Sequence, residues 1–177
     1  QVIAYIYFSA QIASAQRVLP AIATLLQVEG EVKTLTAKSP KGRRGIDGML
    51  LFAGDKISTA ENSKATIEYR EGSRVRLFQN SELVLNLSEE LPTSKRTFNF
   101  QLSLNKGSIR GRFLKGLQLT KIRTPSSLIR VKGTTVRIKD NDNRGTVSLT
   151  EGQVEVRNLT SKTILNPGEW LHEFRRS

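Results

Sequence analysis

Residues 65–85 read ATIEYREGSRVRLFQNSELVL. Ala65, Ile67 and Tyr69 alternate with Thr66, Glu68 and Arg70, and Val75 and Leu77 alternate with Arg74 and Arg76. Leu83, Leu85 and Leu87 continue the alternation, and Glu71-Gly72 interrupts it with a turn. Successive side chains of a strand point to opposite faces, so period two over four to six residues marks half-buried strands. The same pattern extends outward on both sides. Val28, Val32 and Leu35 flank Gly30, and Leu102 pairs with Leu104, Val136 with Ile138, Val147 with Leu149 and Val154 with Val156. Between them lie Lys106-Gly107, Lys132-Gly133, Asn141–Gly145, Glu151-Gly152 and Pro167-Gly168. Strands with turn signals every 8–12 residues or so predict an all-β chain, a two-sheet antiparallel sandwich or one wound as a short β-solenoid. No helical periodicity is sustained after Gly30. Residues 38–48 and 88–97 read as loops, too short for interdomain linkers, so 16–177 is taken as one β domain.

Composition narrows the chemistry. The 177 residues carry 28 Lys and Arg against 16 Asp and Glu, a formal charge of +12. With no cysteine, disulfides, thiolate zinc sites, iron–sulfur clusters and thiol catalysis are excluded. The single histidine, His172, excludes multi-histidine metal sites. Hydrophobic residues are 37% and aromatics 6%, enough aliphatic side chains to fold and few rings. The expectation is a binding module, not an enzyme, with no cofactor and no metal.

Residues 1–15, QVIAYIYFSAQIASA, carry no charge and end in Ala13-Ser14-Ala15. An apolar stretch shorter than the ~20 residues of a membrane span, closing on small-x-small, reads as the remnant of a secretory signal peptide. A buried N-terminal helix and a truncated membrane helix are the other readings. The signal reading places the mature chain, with no membrane span of its own, in the periplasm or outside the cell.

Further motifs fall in a fixed order. Gly54, Asp55, Ile57 and Thr59 form a Gly-Asp-x-Ile-x-Thr segment, and Glu71, Gly72 and Ser73 follow. Then come Thr124 and Pro125, a Val-x-Gly-Thr segment at Val131, Gly133 and Thr134, and Val147, Glu151, Gly152, Val154, Val156 and Gly168. Over about Leu25 to Trp170 the chain resembles the FecR domain. The resemblance implies a fold more than a chemistry. Its best-studied members are membrane regulators of ferric-siderophore uptake that hold a sigma factor on the cytoplasmic side and meet a transporter's signalling domain outside. The expectation here is a stand-alone exported FecR-domain protein for protein interaction or signal relay in the envelope.

The motif residues also have plain physical readings. Gly54-Asp55 suits a tight turn whose carboxylate bonds the backbone of the next strand. Gly72 and Gly152 suit hairpins needing positive φ. Thr124-Pro125 punctuates two strands, and Gly133 before Thr134 marks a bulge or a close backbone approach. With Glu151 these are expected to act structurally.

Candidate chemistry is sparse. Asp140 to Glu151 partly matches a calcium loop, but Arg144 stands at a ligand position and the flanks are strands, which a polar hairpin explains equally. No Gly-x-Ser-x-Gly elbow exists, and His172 alternates with Trp170 and Phe174 in a packing or interfacial pattern. The basic residues carry more information. Arg74 and Arg76, Arg110 and Arg112, Lys121 and Arg123, Arg130 and Lys132, and Arg137 and Lys139 are each two apart, so both cations of a pair share a strand face. Such pairs form either a solvated surface or a docking surface for another envelope protein or an anionic envelope polymer, lipid or acidic glycan. Aromatics are not interleaved among them, which argues against nucleic acid.

Overall fold

The computed structural model describes residues 20–36, 39–92, 97–115, 118–141 and 144–175. The segment 1–15 lies outside them. Every element described is a strand: β1 (Ala23–Glu29), β2 (Val32–Thr36), β3 (Ser39–Arg44), β4 (Leu50–Leu51), β5 (Lys56–Thr59), β6 (Lys64–Tyr69), β7 (Arg74–Leu77) and β8 (Glu82–Leu91). Then follow β9 (Thr97–Arg112), β10 (Gln118–Arg123), β11 (Leu128–Lys132), β12 (Thr135–Asn141), β13 (Arg144–Leu149), β14 (Gln153–Arg157), β15 (Lys162–Leu165) and β16 (Trp170–Arg175).

They form two layers. Sheet A runs β4-β1-β6-β7-β9-β12-β13-β16. Sheet B runs β3-β2-β5-β8-β9-β10-β11-β14-β15. The layers meet through alternating inward residues. Leu25, Ile67, Val75, Ile109, Val136 and Val147 of sheet A and Val32, Ile57, Leu83, Leu102, Ile122, Ile129 and Val154 of sheet B are buried in one core. Tyr69 and Phe100 join it edge to face, their ring centroids 4.7 Å apart. A fully buried aliphatic side chain contributes roughly 1.5–3 kcal/mol, so these alternating positions hold the sandwich together.

β9 belongs to both layers. Its first part pairs with β8 and β10 in sheet B, and Gly107–Arg112 pairs with β7 and β12 in sheet A. The chain turns the corner at Gly107, whose φ is 92° and where a Cβ would lie 2.1 Å from Ser81 Oγ. It then returns to sheet B so that Gln118 pairs with Phe98 and Arg123 with Ser103, in parallel. This is one coil of a β-solenoid, the second of the two expected arrangements, and it makes one pair of strands in the sandwich parallel. A chain that circles both sheets and comes back beside its start must run in its original direction. The later strands cross between sheets after each hairpin and pair antiparallel.

Parts of two expected loops are strands. Ser39–Arg44 pairs with β2 at the edge of sheet B, where Pro40 is tolerated because an edge strand leaves one side unpaired. Residues 88–91 extend β8 along β9, with Ser88 opposite Phe100 and Glu90 opposite Phe98. A register shift between Leu85 and Leu87 breaks the period-two pattern there, which hid the strand.

Candidate functional site

The basic pairs divide between the two outer faces. Arg74, Arg76, Arg110, Arg112, Arg137 and Lys139 lie on sheet A; Lys121, Arg123, Arg130 and Lys132 lie on sheet B, on the opposite side of the sandwich. A single positive surface spanning all five pairs is therefore not formed. Strand periodicity fixes the face within a strand, whereas the sheet is fixed by where the chain crosses over.

On sheet A the cations are in register. Arg76 pairs with Arg110, and Arg110 with Arg137, across the adjacent strands β7, β9 and β12. The row continues through Thr66 on one side and through Ser148 to Trp170 on the other. A second row sets Arg74 opposite Arg112. Like charges directly opposite destabilise a sheet by tenths of a kcal/mol to about 1 kcal/mol. Arg74 is bonded to Glu68. Arg76, Arg110, Arg112, Arg137 and Lys139 form no ion pair with a described carboxylate. Arg137 instead lies over the Phe78 ring, 5.0 Å from its centroid.

The ladder ends at a hollow of about 780 Å³. Its walls come from Glu29 and Lys64, which are bonded to each other, from Asn62, Ser63 and residues 78–80 at the corners, from Gly107 and Ser108, and from Arg137, Lys139 and Asn141 of β12. Asn62 and Asn80 hold left-handed backbone there, with φ of 52° and 54°. The Asn62 N–H donates to Gln79 Oε1 at 3.0 Å, and the Gly107 N–H to Asn141 Oδ1 at 3.1 Å. The sequence reading missed these amides. They sit between strands, where polar residues look like ordinary turn chemistry.

Sheet B is compensated differently. Lys121 pairs with Arg130, which pairs in turn with Glu155. Glu155 gathers Arg130 at 3.3 Å, Lys162 at 3.1 Å and Arg157 at 2.5 Å. The hydrogen bond from Lys162, aided by Arg157, holds its carboxyl below the ordinary value against the effect of desolvation. Lys121, Arg123 and Arg130 also border a smaller hollow of about 380 Å³.

Asp140, the start of the calcium-like run, is fully buried. One of its oxygens accepts from the Ser126 hydroxyl and backbone N–H, so Asp140 ties β12 of sheet A to the β10–β11 turn of sheet B. Its other oxygen has no partner. Among the described residues no three or more of His, Cys, Asp and Glu gather as a metal site. At the far edge of sheet A, Trp170 is 64% exposed and meets His172 edge to face at 4.1 Å.

The family model for FecR protein matches residues 55–155. The chain belongs to the FecR family. No curated protein matches it. Among solved structures, the FecR domain here is similar to two crystal structures of a "putative anti-sigma factor" from Parabacteroides distasonis ATCC 8503, at 2.50 and 1.65 Å resolution. Identity is 19% for both, with TM-scores of 0.53 and 0.51, and the match covers 68% of this chain and 60% of theirs. At that identity the likeness shows a shared fold, and the chain spans about three fifths of those relatives' length.

The FecR motif residues build the corners that carry the chain between strands. Asp55, next to Gly54, accepts the Phe52 N–H at 2.9 Å, closing the turn backward and not bonding the next strand. Burial raises the Asp55 carboxyl above its ordinary value, opposed by that hydrogen bond and by Arg43. Gly72 lies in the β6–β7 hairpin with φ 101°. Glu151-Gly152 is a crossing from sheet A to sheet B and not a hairpin, because β13 and β14 lie in different sheets. Gly133-Thr134 is another crossing, with φ 49° at Gly133 and a Cβ position 2.5 Å from Lys115 Cα. Thr134 Oγ1 is buried without a partner. Thr124 caps the β10–β11 turn around Pro125: its Oγ1 accepts the Ser126 and Ser127 N–H groups at 3.3 and 3.1 Å.

Proposed function

We propose that this FecR domain is a non-enzymatic relay module, exported to the cell envelope, that works by engaging another protein. Family membership carries the reading, and the sandwich fold shared with the P. distasonis "putative anti-sigma factor" supports a regulatory role. Two measurements test it. Alkaline phosphatase fused to the C-terminus of the full reading frame is expected to be active, since it needs an oxidising compartment. Deleting the reading frame in the native host is expected to change transcription from sigma-factor-dependent promoters, and the full chain supplied in trans is expected to restore it. Unchanged transcription would remove the relay reading, and an inactive fusion would remove the export.

A second reading is favoured by one observation, the arginine ladder of sheet A that no described carboxylate neutralises. It makes the domain a polyanion-binding protein. Guanidinium groups bond carboxylates and other oxyanions bidentately, and Arg76, Arg110, Arg112 and Arg137 on one sheet face provide several such bonds at once. Affinity that falls steeply with salt, and more for a sheet A variant than for a sheet B variant of equal charge, is the expected result. Equal loss in both variants would mean diffuse charge.

A further inference from the structure

We infer that the ladder and the hollow at its end form one site for an acidic oligosaccharide, a glycan carrying carboxylates or sulfates. This rests on the polyanion reading above and narrows it to one class of polymer. Along the row Arg76, Arg110 and Arg137 stand on neighbouring strands about 4.8 Å apart, a spacing comparable to one sugar residue. The row runs into the hollow through Arg137, and Lys139 adds a cation there. Beyond them the lining is rich in amides, and its other charged side chains, Glu29 and Lys64, are bonded to each other at 2.7 Å. The side chains of Asn62 and Asn80 make no hydrogen bond to another described residue, and Asn141 uses only its oxygen. Free amide donors and acceptors beside fixed guanidiniums match a ligand with hydroxyls next to its charges.

Other polyanions use the site less well. A peptide recognised through its backbone needs a free sheet edge, and β7, β9 and β12 are each paired on both sides. A flat bilayer meets a sheet whose strands rotate by about 20–25° from one to the next, so only the middle strands touch it and the recessed amides stay empty. Single-stranded nucleic acid stacks successive bases on several open aromatic faces; here Arg137 covers the Phe78 ring, and the exposed Trp170, two strands beyond Arg137 in the row, offers a single platform.

The test measures binding of the full chain by calorimetry to an oligogalacturonate, to poly-L-glutamate of matched charge, to an oligothymidylate and to phosphatidylglycerol vesicles. Three variants are compared: Arg76→Gln/Arg110→Gln/Arg137→Gln, the sheet B control Lys121→Gln/Arg130→Gln/Lys132→Gln, and Asn62→Gly/Asn80→Gly. Glycine keeps the left-handed backbone at both asparagines while removing the amides. The oligogalacturonate is expected to bind tightest. The ladder variant is expected to lose about tenfold or more of that affinity and the control about twofold or less, as directed ion pairs exceed diffuse charge. The charge-neutral Asn variant is expected to lose about threefold or more for the glycan and nothing for poly-L-glutamate, in keeping with two lost hydrogen bonds. Tighter binding to vesicles, peptide or nucleic acid, with the Asn variant unchanged, overturns the glycan assignment and leaves the polyanion reading standing. Absence of binding to all four probes overturns both.

Discussion

Gly152→Ala and Gly168→Ala together test whether the crossings between the two sheets are stacked on one another. The two glycines have nearly the same backbone, φ 81° and 85°. They differ in space. A Cβ at Gly152 would lie 2.6 Å from the Gly133 carbonyl oxygen and 2.8 Å from Thr134 Cβ, whereas a Cβ at Gly168 meets nothing within 4 Å. The stacking that fills this space is held by main-chain bonds. The Phe113 N–H donates to Thr134 O at 2.8 Å, and the Thr150 N–H to Thr135 O at 3.0 Å. Left-handed backbone costs an L-residue roughly 1–2 kcal/mol, so Gly168→Ala is expected to lose about that much. Gly152→Ala carries the same term plus overpacking of roughly 1–3 kcal/mol, because the atoms in the way are backbone and a β-branched Cβ that cannot swing aside.

At about 2–4 °C per kcal/mol for a domain of this size, Gly168→Ala lowers Tm by roughly 2–8 °C and Gly152→Ala by several degrees more. The assay is thermal unfolding followed by far-UV circular dichroism, with urea titration as a second measure. Gly54→Ala, at φ 90° with open space, serves as a second backbone-only control and is expected to resemble Gly168→Ala. Equal losses at Gly152 and Gly168 would refute the stacking. No loss at any of the three would refute the left-handed assignments themselves.

Tyr69→Phe and Thr134→Val each remove a buried hydroxyl that has no partner, so chemical denaturation is expected to show unchanged or slightly raised stability. A loss above about 1 kcal/mol would mean the hydroxyl is bonded after all. Asp55→Asn keeps an acceptor for the Phe52 N–H and Asp55→Ala does not, so only the second is expected to destabilise, by about 1 kcal/mol. Because the folded Asp55 carboxyl titrates above its unfolded value of 3.8, the native state binds the proton more tightly. The contribution of Asp55 to stability is therefore fullest below 3.8 and falls as pH rises through the folded value, a slope that Asp55→Asn removes in pH-resolved melts. Arg110→Gln, at the centre of the ladder, is expected to raise Tm slightly at low ionic strength, and the gain to vanish in high salt.

The sequence disclosed the fold where burial is local. Across 64–85 the alternating apolar residues Ala65, Ile67, Tyr69, Val75, Leu77, Leu83 and Leu85 are all buried. It failed where the partner strand, and not the side-chain pattern, makes the strand. β3 carries Pro40 and Gly42 yet pairs with β2, and the polar end of β8 is held by β9, with the Asn99 amide donating to Glu89 at 3.0 Å. Lys106-Gly107 was legible as a turn, but β9 runs on through the corner at Gly107 into the other sheet instead of doubling back as a hairpin, which only the coil of β9 onto β10 reveals. The candidate site divides in the same way. Each pair of cations could be placed on one face from spacing alone. That Arg76, Arg110 and Arg137 stand side by side depends on contacts between residues far apart in sequence, which no local pattern encodes.

The two outer faces obey different rules, and the difference is the reason for placing the proposed binding surface on sheet A. On sheet B the cation row runs into Glu155, whose carboxylate serves Arg130, Arg157 and Lys162 at once. On sheet A three arginines occupy consecutive cross-strand positions, and the carboxylates of Glu68 and Glu29 are bonded to Arg74 and Lys64, outside their row. Surface arginines can swing apart, so the penalty is modest, but it has the wrong sign for a face that serves only solubility. Lysine and glutamate interspersed would keep the chain soluble without opposing like charges. A local rule broken with no compensation inside the molecule points to compensation from outside it. The anion that supplies it needs several charges at sheet-like spacing. In the proposed site, the free amides at one end of the row are what would select among such anions, by what lies between their charges.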